Sequence, residues 1–141
     1  MTGFLLDTCT ISEWIKPLPD AGLMDWLHAA DEDRLHVSAI TFGELRKGIE
    51  LMPEGARKRR RIEWLTGPLT HRFERRLLPV DGVVADVWGR MVARTKLAGL
   101  TIGATDVLIA ATAETHGLEV VTRNVKDFEP TGVAVVSPWS G

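Results

Sequence analysis

Residues 105–122 read T-D-V-L-I-A-A-T-A-E-T-H-G-L-E-V-V-T, and the fold class turns on them. From Asp106 to His116 neither Gly nor Pro interrupts, and the segment is apolar on most sides until Glu114, which predicts a helix buried nearly all round. Gly117 stands where helices commonly end in a left-handed residue. Leu118–Thr122 is rich in β-branched side chains and reads as a strand. A buried helix running straight into a strand is one step of an alternation that continues outward in both directions.

Toward the N-terminus, residues 3–7 (G-F-L-L-D) form a short apolar run ending in a carboxylate, a buried strand with an acid at its carboxyl end. Thr10-x-x-Glu13 has capping-box spacing and predicts a helix from Thr10 to about Ile15, stopped by Pro17 and Pro19. A second helix carries Leu23, Trp26 and Leu27. Leu35–Ala39 reads as the next strand, and Thr41-Phe-Gly-Glu44 repeats the capping-box spacing at the start of the helix that carries Glu44. Pro53, Gly55, Gly67 and Pro68 predict two helical pieces in the following basic region, one with Arg57–Arg61 and one from about Leu69 to Leu77. Leu77–Val80 is a strand that Pro79 assigns to an edge, and Asp81 caps a helix bearing Val84, Val87, Trp88, Met91 and Val92 that ends by Gly99. Val133–Val136 supplies the last strand. Parallel neighbours need crossover helices, so this alternation predicts an α/β fold: three layers, with a mainly parallel twisted sheet flanked by helices. Ligands in such sheets bind beyond the carboxyl ends of the strands, which here lead into Asp7, Glu44, Asp106 and the T-R-N at 122–124.

At 141 residues and 45% hydrophobic content, the expectation is a single domain over 1–141. No stretch approaches a membrane span, and M-T-G-F-L-L-D has no basic flank before an apolar run, so the expected location is the cytoplasm. The one cysteine, Cys9, excludes an internal disulfide and a multi-cysteine zinc site. His28, His36, His71 and His116 lack metal-ligand pairing and receive no role. The net charge of −2 hides a basic middle: ten basic residues between Arg46 and Arg76 face Glu50, Glu54, Glu63 and Glu74, a local +6.

Taken singly, the acids have ordinary explanations: Glu44 in a capping box, Asp106 in a helix first turn, Asp7 in a turn. Together they fall on one predicted sheet edge inside apolar segments, where unpaired carboxylates are costly. A cation relieves that repulsion, and an all-oxygen set suits Mg²⁺ or Mn²⁺ rather than Zn²⁺. Such a site is suited to phosphodiester hydrolysis.

The segments L-L-D-T-C-T-I-S-E, S-A-I-T-F-G-E-L-R-K-G, A-T-D-V-L-I-A-A-T-A and V-T-R-N-V-K-D-F, with the terminal V-V-S-P-W, resemble PIN-domain toxins of the FitB/VapC-like type over essentially the whole chain. The resemblance implies a PIN-like, Rossmann-like topology and a Mg²⁺- or Mn²⁺-dependent ribonuclease acting in a toxin–antitoxin system. Asp7, Glu44 and Asp106 match the family's three principal acidic positions. Asp7 and Asp106 would hold the metal, and Glu44 would bind it or orient the attacking water. The fourth position, often Asp in relatives, is Asn124, which offers a neutral oxygen and points to one metal rather than two. Asp127 is read as supporting the K-D-F turn. Thr8 and Thr122 are candidates for orienting carboxylates or water, and Cys9, where relatives commonly carry Asn, reads as a small buried residue without a nucleophilic role.

For an RNA substrate the candidate phosphate contacts are Arg46, Lys47, Arg59, Arg60 and Arg61, weighed against a merely solvated basic face. The resemblance further implies a homodimer or a dimer of heterodimers and a cognate antitoxin whose tail covers the groove. Operator DNA would be reached only through that antitoxin. Trp14, Trp26 and Trp64 are candidate interface anchors. Two other readings remain at this point: a Mg²⁺-dependent phosphatase of the haloacid-dehalogenase-like type, which lacks its D-x-D because position 9 is Cys, and a catalytically weakened nucleic-acid- or antitoxin-binding module.

Overall fold

In the computed structural model, which describes residues 2–140, the strands are β1 (Gly3–Leu6), β2 (Leu35–Ser38), β3 (Leu77–Leu78), β4 (Leu118–Val121) and β5 (Val135–Val136). They form one five-stranded sheet in the order β3-β2-β1-β4-β5, and every neighbouring pair is parallel. From β1 the chain steps outward to β3, then crosses back to place β4 on the other side of β1. The order therefore reverses between β1 and β4, the place where ligands bind beyond the strands' carboxyl ends in sheets of this kind. Leu5 lies opposite Val120 and Leu6 opposite Val121. Beyond the last paired residue, the Asp7 N–H donates to the Val121 carbonyl at 3.0 Å, so the ladder fixes the Asp7 backbone too.

Successive strand residues point to opposite faces, and both faces are covered. Leu6, Val121, Leu35 and Val37 pack with Ile11, Leu23, Leu27, Leu45, Ile49 and Phe73 on one side. Leu5 and Val120 pack with Met91, Val107, Ile109, Ala110, Ala113 and Phe128 on the other. The first side is built by α1 (Thr8–Trp14), α2 (Ala21–Ala29), α3 (Ala39–Glu50), α4 (Ala56–Trp64) and α5 (Thr70–Phe73), and the second by α6 (Gly82–Leu97), α7 (Ala104–His116) and α8 (Val125–Phe128). The opening stretch behaves as its composition predicts. In α7 the residues Val107 and Ile109–Ala113 are buried, with Ala111 meeting Val84 and Val87 of α6, and Gly117 closes the helix at φ 64°. Alanines on successive faces let α7 sit between the sheet and α6.

The helix starts differ from the capping boxes. α1 begins at Thr8, with Asp7 as its N-cap; Thr10 instead donates its hydroxyl to the Val121 carbonyl at 2.7 Å. The Glu13 carboxylate accepts from Lys16 Nζ at 2.8 Å and from the Asp20 N–H at 2.9 Å, pinning the loop into α2 and lying below its ordinary pKa for that reason. Ser38 caps α3 by accepting from the Ile40 N–H, and Thr41 is buried within the helix. Strand runs into helix without a linker in both places, so the residue leaving the strand does the capping.

Gly67 and Pro68 do not separate two helices. α4 continues through a π-turn, Leu65–Leu69, into α5, and the wider turn tolerates a proline that has no N–H to donate. Thr66 and Thr70 donate their hydroxyls to the Ile62 and Leu65 carbonyls at 2.8 and 2.7 Å, while Leu65 and Leu69 remain in the core. α5 stops at Phe73 rather than near Leu77, and β3 stops at Leu78, just before Pro79.

Candidate active site

Asp7 stands at the carboxyl end of β1, in contact with the β4–α8 turn. The Asp7 side chain is 4% exposed; Oδ1 accepts from the Thr8 N–H at 2.8 Å and Oδ2 from the Thr122 hydroxyl at 2.8 Å. Thr122 in turn accepts the Asn124 N–H at 3.0 Å, so one hydroxyl ties the turn to the carboxylate. Burial pushes the Asp7 carboxyl above its ordinary pKa, and the Glu44 charge adds to this, against the lowering effect of the Thr122, Thr8 and Cys9 hydrogen bonds.

Glu44 comes from the middle of α3 and is held from α1: Thr8 Oγ1 donates to Glu44 Oε1 at 2.6 Å, with the buried Thr41 hydroxyl 3.5 Å from Thr8 Oγ1. Asp106 lies in the first turn of α7, where burial first, and then the charges of Asp7, Asp127 and Glu44, raise its carboxyl to about 6. These four carboxylates take part in no ion pair among the described residues. Nor do any three acidic, His or Cys side chains among the described residues stand close enough to grip an ion as they lie. The carboxylates feel one another without converging, as mutually repelling charges lacking a basic partner should. The donor set is all oxygen and lacks a charge to balance it, which fits a hard divalent cation.

Cys9 lies beside these acids, its Sγ 3.5 Å from Asp7 Oδ2 and 3.4 Å from the Thr122 hydroxyl, and burial with the Asp7 charge pushes the thiol pKa up. A thiol held protonated is a poor nucleophile. The Asn124 side chain is exposed at the N-cap of α8 and makes no hydrogen bond there. Asp127 lies in the K-D-F turn, its N–H donating to the Asn124 carbonyl at 3.0 Å, and its charge also acts on Asp106. The sequence marks Thr41 only as a helix cap; its contact with Thr8, between positions 33 residues apart, has no sequence signal.

The basic candidates divide by helix face. Arg46 pairs with Glu50 at 3.1 Å, and Lys47 is exposed. Lys58 turns inward, donating to Glu54 at 2.7 Å. Arg59 and Arg60 are exposed, whereas Arg61 lines the same groove as Thr8 and Glu44. The three tryptophans also separate. Trp26 packs edge-on to Phe4, and Trp14 carries the Arg72 guanidinium 4.0 Å above its ring. Trp64 lines the groove.

A parallel sheet whose order reverses beside Asp7, with Glu44 and Asp106 near enough for their charges to act on one another, defines the class, and residues 4–132 match the family model described as "PIN domain". The chain belongs to the PIN-domain family, which removes the haloacid-dehalogenase-like alternative. It is similar to the VapC ribonuclease Y4jK of Sinorhizobium fredii, at 38% identity with 96% of each chain covered. It is similar also to the toxin FitB of Neisseria gonorrhoeae, at 38% identity with 96% of this chain and 97% of FitB covered. The crystal structure of FitAcB from the same organism superposes with a TM-score of 0.91 at 38% identity, covering 98% of this chain and 99% of its match. DNA-bound VapBC from Salmonella typhimurium gives 0.79 at 28% identity, covering 98% and 99%.

Proposed function

We propose that this chain is the toxin of a type II toxin–antitoxin system, a Mg²⁺-dependent endoribonuclease that hydrolyses RNA phosphodiester bonds, with residues 1–141 forming one nuclease domain in the cytoplasm. The observation that carries the reading is that Asp7, Glu44 and Asp127 all act on the Asp106 carboxyl, which burial and these charges raise to about 6, while none of the four acids pairs with a basic side chain among the described residues. Asp7, Glu44 and Asp106 would hold Mg²⁺, or Mn²⁺ in its place. When bound, a hard divalent cation supplies stabilisation of phosphoryl charge and a more acidic water.

The remaining work falls to the chain's own groups. The Thr122 hydroxyl and the Thr8 N–H hold both Asp7 oxygens, setting the carboxylate's direction. Thr8 Oγ1 occupies Glu44 Oε1, leaving Oε2 to bind the cation or to orient the attacking water. Asn124, at the head of α8, offers a neutral oxygen at the rim. Arg61 is the cation placed to meet a backbone phosphate, with Arg46, Lys47, Arg59 and Arg60 contributing through a more diffuse field. The names of the relatives, a VapC ribonuclease, a toxin and a DNA-bound VapBC complex, support a ribonuclease toxin that works within a complex. The partner would be a cognate antitoxin, in a homodimer or a dimer of heterodimers of the toxin, with operator DNA met through that antitoxin.

Inducing this protein alone and sequencing the RNA ends it leaves, beside Asp7→Asn, tests reaction and target together. New ends are expected with the parent protein and none with the variant, which should remain folded. EDTA should stop the purified protein and Mg²⁺ restore it; full cleavage by Asp7→Asn, or cleavage in EDTA, would refute the proposal.

A further inference from the structure

We infer that Trp64, with Gly48 and Arg61 beside it, forms a stacking subsite for an unpaired base of single-stranded RNA, next to the phosphate presented to Glu44. The inference rests on the ribonuclease reading and extends it to how the substrate is gripped. A groove of about 180 Å³ bounded by Thr8, Glu44, Gly48, Arg61 and Trp64 leads away from the acids. A second, of about 280 Å³, shares Ile15 and Trp64 with it and runs on to Trp14, Pro68 and Arg72. Trp64 therefore stands at the junction of the two grooves, the first of which begins at Glu44.

Three features suit this junction to a base and its phosphate. Trp64 packs one side against the core yet lines both grooves, and whereas Arg72 covers the Trp14 ring and is itself bonded to Glu32 at 2.7 Å, no cation covers Trp64 among the described residues. The charge is available too: Arg57 and Arg61, one turn apart on α4, have no carboxylate partner among the described residues, and Arg61 lines the groove itself. Stacking on an aromatic face beside a guanidinium is how single-stranded RNA is bound without sequence readout, and it requires a base free of its own stack. The floor is also open. A Cβ at Gly48 would meet nothing within 4 Å. Alanine is the better helix former at such an interior position, so glycine there favours groove width over helix stability.

The test compares the parent protein with Trp64→Ala, Trp64→Phe and Gly48→Leu, each full length and held in EDTA. Two labelled probes are used: a short single-stranded RNA, and the same RNA with its bases removed. Trp64→Ala should bind intact RNA about tenfold more weakly, the size expected for one lost stack. Trp64→Phe should recover most of that. Gly48→Leu should bind weakly while melting no lower than the parent, which separates a filled groove from a damaged fold. The abasic RNA should bind all four proteins alike. Intact RNA binding Trp64→Ala and Gly48→Leu as it binds the parent would overturn the inference, as would equal losses with abasic RNA. Loss of antitoxin binding with RNA binding unchanged would assign the groove to a protein partner instead. Unchanged KM for Mg²⁺-dependent cleavage in the variants would remove only the subsite, whereas a parent that neither binds nor cuts RNA would remove the ribonuclease reading and this inference with it.

Discussion

Asp106→Asn should stabilise the metal-free protein even as it destroys the proposed activity. In the folded chain the Asp106 carboxyl titrates near 6 against an ordinary value of 3.8. Below the ordinary value it is protonated in both states and nothing is lost. As pH rises through the window from 3.8 to about 6, the folded protein must give up a proton that it holds more tightly than the unfolded chain does, so stability falls across that window and the penalty is complete above it. Linkage over such a shift amounts to about 3 kcal/mol, and solvent screening at this half-open position reduces it to roughly 1–2 kcal/mol. Asparagine carries no charge and escapes the penalty. In EDTA at pH 7.5 the variant should melt about 3–6 °C above the parent, and near pH 3.5 the two should coincide. Mg²⁺ should raise the melting temperature of the parent and have little effect on the variant. Circular dichroism melts across this pH range provide the measurement. A variant that melts at or below the parent at every pH in EDTA would refute the idea that repulsion among these acids goes unbalanced.

Other perturbations separate parts of the structure. Thr122→Val keeps the shape of a buried side chain and strips Asp7 Oδ2 of its donor; it should cost about 1–3 kcal/mol in urea melts and lower the cleavage rate, with Thr122→Ser restoring both. Gly22→Ala would bring a Cβ to 2.8 Å from the Pro138 carbonyl and against the Ser140 side chain, so its urea midpoint should drop by the equivalent of about 1–3 kcal/mol; an unchanged midpoint would mean that the C-terminal segment yields freely. Charge reversal at Arg61 should weaken RNA binding and flatten its salt dependence more than reversal at Arg60, because only Arg61 lines the groove. Equal effects would return the whole basic stretch to the role of a solvated face.

Much of the fold was legible because its signals are local. Asp106–His116 is apolar on most sides and ends in glycine, and β-branched runs stand between helices, so the layered sheet follows from periodicity alone. The helix starts were misread because a capping box is a spacing that strand-to-helix junctions can mimic: Thr10 and Thr41 have the right neighbours, but the chain has already turned at Asp7 and Ser38. The continuous helix through Gly67 and Pro68 was hidden for a related reason. A π-turn depends on Leu65 and Leu69 finding the core, which sequence spacing does not reveal.

The sequence by itself determined the alternation of strands and helices that makes the sheet parallel, and with it the placing of Asp7 at the end of β1 and Asp106 in the first turn of α7, since strand ends and helix starts are set by neighbouring residues. Only the tertiary structure decided how those acids are held and what charge they feel. Thr8 meets Glu44 across 36 positions because β1 and β2 are neighbours, and Thr122 meets Asp7 across 115 because β1 and β4 are. The same packing turned Lys58 inward and left Arg61 beside Glu44, separating five consecutive cations that the sequence presents as one cluster. Charge reaches through space and hydrogen bonds close over a few ångströms, so both answer to distances that chain order does not encode.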